Sequence, residues 1–456
     1  MAALMDIEDD GEVVEEVLRD RWKFAQTYSL GGATAEERQP VWYVMDEFGS
    51  RIPHSSTPTC RLVPFLWSGD GLAYSLLFPI EPLEAGSRIT RDFIEGLERG
   101  RGEDFRKALL LPWIHSDFKE HGSAQGEPGK EFFLAARTME TLPDPDANIV
   151  PLPLERKIKV YSEYEFINRN LTHPRFEMVD GMADADVLWL TSHFKDFEAL
   201  SKEMPGRRIN QFPCENVITI KDFLAVACRR QGEKPGGPAW LPTTFNLETE
   251  LLEFVSCFQS REEKEEDNHW IIKAWNLSRG LDMQVSSSLS HILRLPASGP
   301  KIAQKYLHSP VLFQRPSIGK VKFDVRYIIL LRSVEPLEVY AYNRFWLRFA
   351  NIPFSLEQLD VYEKHFTVMN YNDADLQQMF CHDFIKLFEE QNPGHLWKDV
   401  EASIFSMFRG VFEVSKPNFV KLYSQIVPFN LRVRLLYLHL VGSVHALRQG
   451  RCMPLI

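Results

Sequence analysis

The sequence predicts an α+β protein, with a β-rich N-terminal part followed by an α/β part. Three observations support this fold class. Between residues 41 and 120, short apolar runs are separated by Gly and Pro, which is typical of strands joined by turns. After residue 156, strand-like and helix-like segments alternate, which indicates an α/β unit. The length of 456 residues suggests two or three domains of about 150 residues each.

The individual elements follow from changes in hydrophobic periodicity along the chain. The first 50 residues carry twelve Asp and Glu against four Lys and Arg, and a helix is expected there near Val13–Ser29. Further helices are expected at Glu131–Thr138, Glu163–Leu171 and Lys221–Arg230. Strands are expected at Val41–Met45, Leu72–Phe78, Lys157–Tyr161, Phe176–Val179, Asp186–Leu190, Trp270–Trp275, Ala303–Leu307, Lys320–Leu331 and Leu337–Tyr342.

These elements divide the chain into five segments. An acidic stretch rich in Gly and Pro separates the β-rich part from the α/β part, and an apolar tail follows the last α/β elements. The segments are an acidic helical lead-in at 1–40, a β-rich domain at 41–120, a linker at 121–155, an α/β domain at 156–410 and a divergent tail at 411–456.

Composition argues against several classes of protein. The net charge is −11, whereas a general nucleic-acid binder is normally basic, so direct nucleic-acid binding is not expected. Six cysteines are scattered without CxxC pairs or zinc-ligand spacing, which indicates reduced thiols in a cytoplasmic or nuclear protein. No run of about 20 apolar residues occurs, so no membrane span is expected. Walker A, GxSxG and HExxH motifs are absent.

The most informative stretch is the strand predicted at Lys320–Leu331. Lys322, Asp324 and Arg326 alternate there with apolar and aromatic residues. Because strand side chains point to opposite faces with period two, the three charges are expected on one face. A Lys and an Arg beside one carboxylate suit the binding of anionic oxygens such as phosphates. A solvated charged face is the plainer alternative.

Three further clusters lie before and after this strand. Lys273 lies near the end of a buried strand, and Gln304–Leu307 offers hydrogen-bonding groups suited to an adenine edge. Arg344 and Arg348 are placed to reach phosphate or an acidic peptide. Residues 301–350 hold nine Lys and Arg against three Asp and Glu, which favours an anionic ligand. The plainer alternatives are a surface lysine, an amphipathic strand and surface arginines beside a core.

Taken in order, these clusters resemble the tubulin–tyrosine ligase-like family. The family pattern has a strand-borne lysine, an adenine strand, a Lys-Phe-Asp strand and a distal Arg-Phe-Ala. The resemblance covers roughly residues 156–410 and implies an ATP-grasp fold. The matching residues are Asn210–Pro213, Lys221, Asp222, Lys273, Gln304–Leu307, Lys322–Arg326 and Arg348–Ala350.

The resemblance implies an enzyme that activates a carboxylate as an acyl phosphate and joins it to an amine. ATP is the implied cofactor, and an acidic tubulin tail is the implied partner. The residues that would bind ATP are Lys273, Gln304, Lys305, Tyr306, Leu307, Lys322 and Asp324. The residues that would hold phosphate or the acidic tail are Arg326, Arg344 and Arg348.

The β-rich part carries a second resemblance. Phe48–Ser55 resembles the SET motif that contains Asn-His-Ser, and Ile80–Phe93 resembles the SET motif that ends in Asp-Tyr. Together with Glu363–Tyr371, these segments resemble family members that carry a SET-like domain before the ligase-like domain. Pro53 and Phe93 stand where the motifs have Asn and Tyr, which argues against methyl transfer. The first part of a SET fold is expected to be missing.

Departures from the family pattern predict a loss of catalysis. Ala274 replaces a proline, and the family's His-Leu-Thr-Asn reads His365–Val368, which leaves Asn370 as a weak candidate for a metal contact. The tail has Glu413 as its only carboxylate side chain, so the late acidic ligands of magnesium are missing and Mg²⁺ is not expected. The ATP-grasp-type domain is therefore expected to be incomplete at its C-terminus.

The leading hypothesis is a catalytically inactive, tubulin-binding pseudo-ligase. It would regulate tyrosination, detyrosination and glutamylation of tubulin, with ATP as the candidate cofactor. Links to histone modification and mitosis, through chromatin-related partners, are expected to be indirect. The expected location is the cytoplasm, with cytoskeletal and nuclear pools. The alternatives are an active ATP-dependent tubulin amino-acid ligase and a SET-type lysine methyltransferase.

Overall fold

The computed structural model describes residues 16–423 and 435–440, except for the gaps 18–19, 30, 32–33, 35–36, 68, 70, 98–99, 129–131, 133–139, 145, 147–149, 232–236, 278–279, 335 and 369–378. The chain forms two compact units, each assembled from two separate stretches of sequence. The first unit comprises Met1–Gln125 and Thr243–His308, and the second comprises Gly126–Pro242 and Ser309–Ile456. The five segments predicted from the sequence stay a prediction.

Strands are distributed over both units. In chain order, β1 to β17 are Ala25–Tyr28, Val41–Val44, Cys60–Trp67, Leu72–Pro79, Ile158–Ser162, Phe176–Met178, Val187–Trp189, Arg208–Ile209, Thr244–Asn246, Trp270–Ala274, Met283–Ser286, Lys301–Lys305, Phe313–Arg315, Gly319–Val321, Phe323–Val334, Leu337–Phe349 and Leu435–Leu440.

Helices lie between these strands. In chain order, α1 to α11 are Glu47–Arg51, Glu103–Leu109, Glu165–Asn170, Phe197–Glu203, Asn216–Thr219, Lys221–Arg229, Leu251–Glu263, Leu289–Arg294, Tyr362–His365, Cys381–Gln391 and Trp397–Tyr423. Short 3-10 helices are Arg21–Lys23, Lys119–His121, Met182–Asp184 and Leu295–Ser298.

The first unit contains a four-stranded antiparallel sheet in the order β11-β10-β12-β9. Burial alternates along β10, which places Trp270, Ile272 and Ala274 on the buried face. Helix α7 contributes Phe254 and Phe258 to the same core, and the rings of Trp270 and Phe254 meet edge to face at 5.1 Å between centroids. This packing fixes β10, the strand that carries Lys273.

Two antiparallel hairpins also belong to the first unit, formed by β1 with β2 and by β3 with β4. Strands β2, β3 and β4 lie where the sequence predicts a β-rich region, whereas β1 lies before it. The helix predicted at Val13–Ser29 is wrong for its last part, because Ala25–Tyr28 is a strand paired with Val41–Val44. Pairing with a distant strand outweighs local helix preference in this segment. The predicted helix at Glu131–Thr138 lies outside the described residues, apart from residue 132.

The second unit contains a parallel sheet in the order β6-β5-β7-β8. Parallel neighbours need crossover connections, and α3 and α4 lie in two of them. Leu188 and Ile209 on the strands pack with Phe197 and Leu200 of α4 in one core. The alternation of strands and helices predicted after residue 156 is therefore confirmed.

A second sheet of this unit has the order β16-β15-β17 and is antiparallel. Helices α10 and α11 cover it, and Phe384 is fully buried at the centre of an aromatic cluster. Rings that approach Phe384 belong to Phe313, Phe323, Phe345, Phe349, Phe388 and Trp397. The long β15–β16 hairpin, which carries most of the predicted anion-binding residues, therefore rests on a rigid core.

Candidate functional site

The first unit places Lys273 and Gln304 side by side. Gln304 on β12 is paired with Ile271 on β10. Because residues two apart on a strand share a face, Lys273 and Gln304 leave the sheet opposite the side of Trp270. Lys273 Nζ donates to Gln304 Oε1 at 2.7 Å, and Gln304 Nε2 donates to Thr244 Oγ1 at 2.9 Å. An ammonium, a carboxamide and a hydroxyl thus form one polar line across three strands.

Lys305 lies on the other face of β12, where it is paired with Trp270. Its ammonium is bonded to the Asp267 carboxylate and donates to the His269 carbonyl at 2.8 Å. The Nδ1 atoms of His269 and His308 lie 2.7 and 3.3 Å from the same carboxylate. Burial lowers the pKa of Lys305. Burial raises the pKa of Asp267, but hydrogen bonds from Lys305 and His269 outweigh it and leave that pKa below its usual range.

Tyr306 and Leu307 follow the end of β12, so the strand predicted at Ala303–Leu307 ends earlier than expected. The Tyr306 N–H donates to the His269 carbonyl at 3.0 Å, and burial raises the pKa of the phenol. Leu307 is half-buried. Of the three residues predicted to surround adenine, Gln304 is hydrogen-bonded to Lys273, whereas Tyr306 and Leu307 lie beyond the end of β12.

An ion pair that the sequence interpretation missed lies on the same sheet. Lys301 starts β12, and its Nζ lies 2.6 Å from Asp282 Oδ2, with side chains 2% and 7% exposed. Asp282 adopts a positive φ of 52° just before β11. The sequence signal was weak, because each partner is one charge beside an apolar strand and nothing in the spacing links them.

Asp324 and Arg348 form an ion pair in the second unit, in which the guanidinium contacts both oxygens of the carboxylate; we call it the closed pair. They lie directly opposite each other on β15 and β16. Arg348 Nε lies 3.1 and 3.2 Å from the two carboxylate oxygens, and Nη2 lies 2.6 Å from Oδ2. Asp324 is 1% and Lys322 is 4% exposed, so the alternative of a solvated charged face is wrong at these two positions. Both faces of the strand are covered at this end.

Two further lysines are buried in this unit: one lies just before β15, and the other lies in α9. Lys322 precedes β15, and its Nζ lies 5.3 Å from the ring centroid of Phe354. Lys364 is 7% exposed and donates to Ser355 Oγ at 3.1 Å and to Gln358 Oε1 at 3.2 Å. Lys364 was not singled out from the sequence, and its bonds are those of a structural lysine.

The outer face of β16 combines basic and aromatic side chains. Arg326 on β15 lies opposite Trp346, and the register of β16 shifts at a bulge between Ala341 and Phe345, the segment that contains Tyr342 and Arg344. Trp346 and Tyr342 are 49% and 51% exposed, and their rings are nearly parallel at 6.4 Å between centroids. Arg344 lies between these two residues in the chain and is also exposed. We call Tyr342, Arg344 and Trp346 the basic-aromatic face.

A buried acidic cluster in the second unit was also missed. His193 Nε2 lies 2.7 Å from Glu140 Oε1, and its Nδ1 lies 3.6 Å from Glu215 Oε1. The Cys214 N–H donates to Glu140 Oε2 at 2.7 Å, and burial raises the pKa of the Cys214 thiol to about 12. Burial also lowers the pKa of Lys221 to about 8. The motif Asn210–Pro213 lies close to Glu215 in the chain, but it gave no indication that His193 and the two glutamates would form a cluster.

The two SET-like motifs meet in the first unit. His54 forms a parallel bridge with Arg91, and the Ser55 N–H donates to the Arg91 carbonyl at 3.0 Å. The Phe93 N–H donates to His54 Nδ1 at 3.3 Å, and Asp92 Oδ1 lies 3.6 Å from that nitrogen. Burial lowers the pKa of His54. Segments chosen for their likeness to two SET motifs are therefore neighbours in space.

A tubulin-tyrosine ligase family profile matches residues 199–431, which is just over half of the chain. The chain belongs to the tubulin–tyrosine ligase family. A second profile, for the tubulin tyrosine ligase SET-like domain, matches residues 1–117 of this family member. The predicted order of a SET-like domain followed by a ligase domain is therefore confirmed.

Comparison with individual curated relatives shows which members of the family this chain is similar to. It is 50% identical to tubulin–tyrosine ligase-like protein 12 of Homo sapiens over 91% of this chain and 65% of the relative. The Caenorhabditis elegans protein of the same name is 39% identical over 89% of this chain and 63% of the relative. A probable tubulin polyglutamylase TTLL2 of Mus musculus is 28% identical over 43% of this chain and 35% of the relative. The chain thus spans slightly less than two thirds of the length of the two ligase-like protein 12 relatives.

The ATP-grasp fold, ATP binding and the assigned site residues stay predictions for this family member. Asn370 lies outside the described residues. Among the residues that the structure describes, no group of three or more His, Cys, Asp and Glu side chains is arranged to hold a metal ion. In the same part of the chain, no helix is long and apolar enough to cross a membrane.

Proposed function

We propose that this family member is a tubulin-binding pseudo-ligase, which retains affinity for nucleotide but does not ligate amino acids. The closed pair of Asp324 and Arg348 carries the proposal. The carboxylate is 1% exposed and is held by Nε and Nη2 of one guanidinium. A carboxylate matched in this way is poorly suited to replace the late magnesium ligands that the tail lacks, and phosphoryl transfer requires Mg²⁺ to neutralise developing charge.

Nucleotide affinity rests on the first unit. Lys273 presents an ammonium, and Gln304 beside it presents a carboxamide that both donates and accepts. An ammonium on a strand is a point charge suited to phosphate, and a carboxamide suits the edge of a base. Both groups lie on the half-buried side of a sheet whose other side is packed, so little conformational entropy is lost when they bind.

Tubulin binding rests on the basic-aromatic face of the second unit. Arginine recognises carboxylates through two parallel hydrogen bonds, and exposed Trp and Tyr add apolar contact at low entropic cost. Arg344 is exposed two residues before Trp346 on β16, the strand that pairs with the one carrying Arg326. An acidic, extended tubulin tail has the charge that this surface complements. The names of the relatives, which are tubulin ligase-like proteins and a polyglutamylase, support the same partner.

Occupied tails would be shielded from active modifying enzymes. The protein would therefore lower tyrosination, detyrosination and glutamylation by competition. Chromatin-related partners, an indirect link to histone modification and mitosis, and cytoplasmic, cytoskeletal and nuclear pools are expectations that come from the resemblance alone. An active ATP-dependent ligase is the second candidate function, and the adjacency of Lys273 and Gln304 favours it.

Charge reversal at Arg344 is expected to weaken tubulin binding. Arg344→Glu places a carboxylate opposite an acidic tail, and we expect the Kd for tubulin to rise about tenfold, which corresponds to about 1.4 kcal/mol. Co-sedimentation with polymerised tubulin measures this change. Tubulin with its acidic tails removed should bind wild type and Arg344→Glu equally weakly.

Lys386→Glu is the matched control, because Lys386 is exposed on α10 of the same unit and lies away from β16 in the chain. It makes the same change in net charge and should leave the Kd unchanged. Equal binding of wild type to intact and tailless tubulin would rule out recognition of the tail. If Arg344→Glu and Lys386→Glu raised the Kd for tubulin equally, the change in net charge alone would explain the weaker binding.

A further inference from the structure

Two arginines are buried in the first unit, away from the residues assigned to nucleotide. Arg91 is 4% exposed and Arg294 is 3% exposed. Arg91 lies in the second SET-like motif, and Arg294 ends helix α8. A buried guanidinium is stable only when anions or acceptors compensate the lost hydration. The partners of these two groups therefore decide what the region does.

An aromatic pair joins the two guanidinium groups. The Arg91 guanidinium carbon lies 4.5 Å from the centroid of Phe93, and that of Arg294 lies 4.8 Å from the centroid of Trp113. The rings of Phe93 and Trp113 are 4.8 Å apart. Arg294 Nη2 also donates to the Ala25 carbonyl at 2.6 Å. The cations thus lie in one aromatic-walled region rather than in separate parts of the core.

Carboxylates do not balance this charge among the described residues. Asp92 is the acid that acts electrostatically on Arg91, but it already lies 2.9 Å from Arg106 Nη2 and 3.6 Å from His54 Nδ1. The charged group that acts on Arg294 is Arg91, which repels it. Burial lowers the pKa of both guanidinium groups to about 10. The region therefore holds more positive than negative charge.

Buried donors in this region have no acceptor among the residues that the structure describes. They are Nε of Arg91, Nε of Arg294 and Nε2 of Gln26. Gln26 follows Ala25, whose carbonyl accepts a hydrogen bond from Arg294, and it is paired on β2 with Tyr43, which lies near Arg91. Buried donors without acceptors are rare in proteins and commonly mark an ion or water site.

We propose that Arg91, Arg294 and Gln26 form a binding site for a small oxyanion, phosphate or sulfate. Every free group is a donor, so the ligand must be an acceptor, and the excess positive charge selects an anion. Guanidinium groups match the oxygens of tetrahedral anions, which accept from several directions at once. The low exposure of both arginines restricts the ligand to a free ion rather than a phosphorylated macromolecule. The site is independent of tubulin and nucleotide binding.

Titration of the full chain with inorganic phosphate tests this site. In chloride buffer at constant ionic strength, isothermal calorimetry should show saturable binding to the wild type. Arg91→Met and Arg294→Met should each weaken phosphate binding at least tenfold. Arg51→Met is the control, because its side chain is 65% exposed in the same unit, and it should bind like the wild type. Sulfate should compete with phosphate.

Thermal unfolding gives an independent readout that a purely structural role would not reproduce. Phosphate should raise the Tm of the wild type and of Arg51→Met but not that of Arg294→Met. In chloride buffer without phosphate, the Tm of Arg294→Met should equal or exceed that of the wild type, because the substitution removes a buried charge that no anion balances. No saturable heat with phosphate or sulfate in the wild type would overturn the proposal, even if a variant failed to fold. Equal phosphate affinity in wild type and both Met variants would also overturn it.

Discussion

Replacing Asp324 by Ala should lower the free energy of unfolding by about 3–5 kcal/mol, because the substitution leaves the Arg348 guanidinium without its buried partner. Asp324 is 1% exposed, and three contacts of 3.2 Å or less join it to Arg348. Removing one member of such a pair costs more than the pair contributes, since the remaining charge stays partly desolvated. Urea unfolding followed by circular dichroism measures the change.

A double substitution separates charge loss from packing loss. Asp324→Leu combined with Arg348→Met should be clearly more stable than Asp324→Ala, because the Arg348 charge is removed together with the Asp324 charge. The matched control is Glu338→Ala, which breaks the exposed pair of Arg332 and Glu338 on the same hairpin and should cost less than about 1 kcal/mol. If Asp324→Ala and Glu338→Ala lowered the free energy of unfolding by similar amounts, the interpretation of Asp324 and Arg348 as a buried ion pair would be contradicted.

Trp270→Ala should also cost about 3–5 kcal/mol, because it empties the centre of the first unit's core. Trp270 is 0% exposed, and its ring lies 5.1 Å from Phe254 and 5.9 Å from Phe245. Trp270 and Lys273 belong to the same strand, and the Trp270 ring anchors that strand to the core, so loss of the ring should also displace Lys273. We therefore expect the midpoint of urea unfolding and the affinity for ATP to fall together.

Trp67→Ala is the control for removal of an indole, since Trp67 is 51% exposed in the same unit. Little apolar area returns to water at that position, so we expect a cost of about 1 kcal/mol or less. A cost for Trp270→Ala as small as that for Trp67→Ala would mean that the core assigned to β10 is wrong.

Local pattern was enough to predict much of the second unit. Charges alternating with apolar residues around Asp324 predicted a strand, and β15 runs there as Phe323–Val334. The same alternation could not show that the charged face is covered, because burial at this position depends on the opposite strand. Arg348 lies 24 residues further along the chain, and its pairing with Asp324 depends on the register of the hairpin.

The polar line in the first unit was predicted in part. Lys273 and Gln304 were both chosen from the sequence, and they are hydrogen-bonded to each other. Lys305 was chosen with Gln304 because both belong to the segment that resembles the family's adenine strand, yet adjacent strand residues point to opposite faces. The bond from Lys305 to Asp267 joins positions 38 residues apart, and no periodicity in the sequence encodes it.

The buried clusters that were missed share one physical cause. Lys301 with Asp282, and His193 with Glu140, are single polar residues whose partners come from other segments. Isolated charges in a sequence usually indicate solvent-exposed positions, and only the packed structure shows that they are buried. Arg91 and Arg294 are a further case, since they are 203 residues apart in the sequence and both lie within the first unit.

The central claim is nucleotide binding without ligation, and incorporation of labelled amino acid into tubulin tests it most directly. Purified protein would be incubated with ATP, Mg²⁺, tubulin and labelled Tyr, Glu or Gly, at an ATP concentration that raises its Tm. We predict a shift in Tm that Lys273→Met abolishes, with no label on tubulin above the sample lacking the protein. ATP-dependent labelling of tubulin that Lys273→Met abolishes would contradict the account and identify an active ligase.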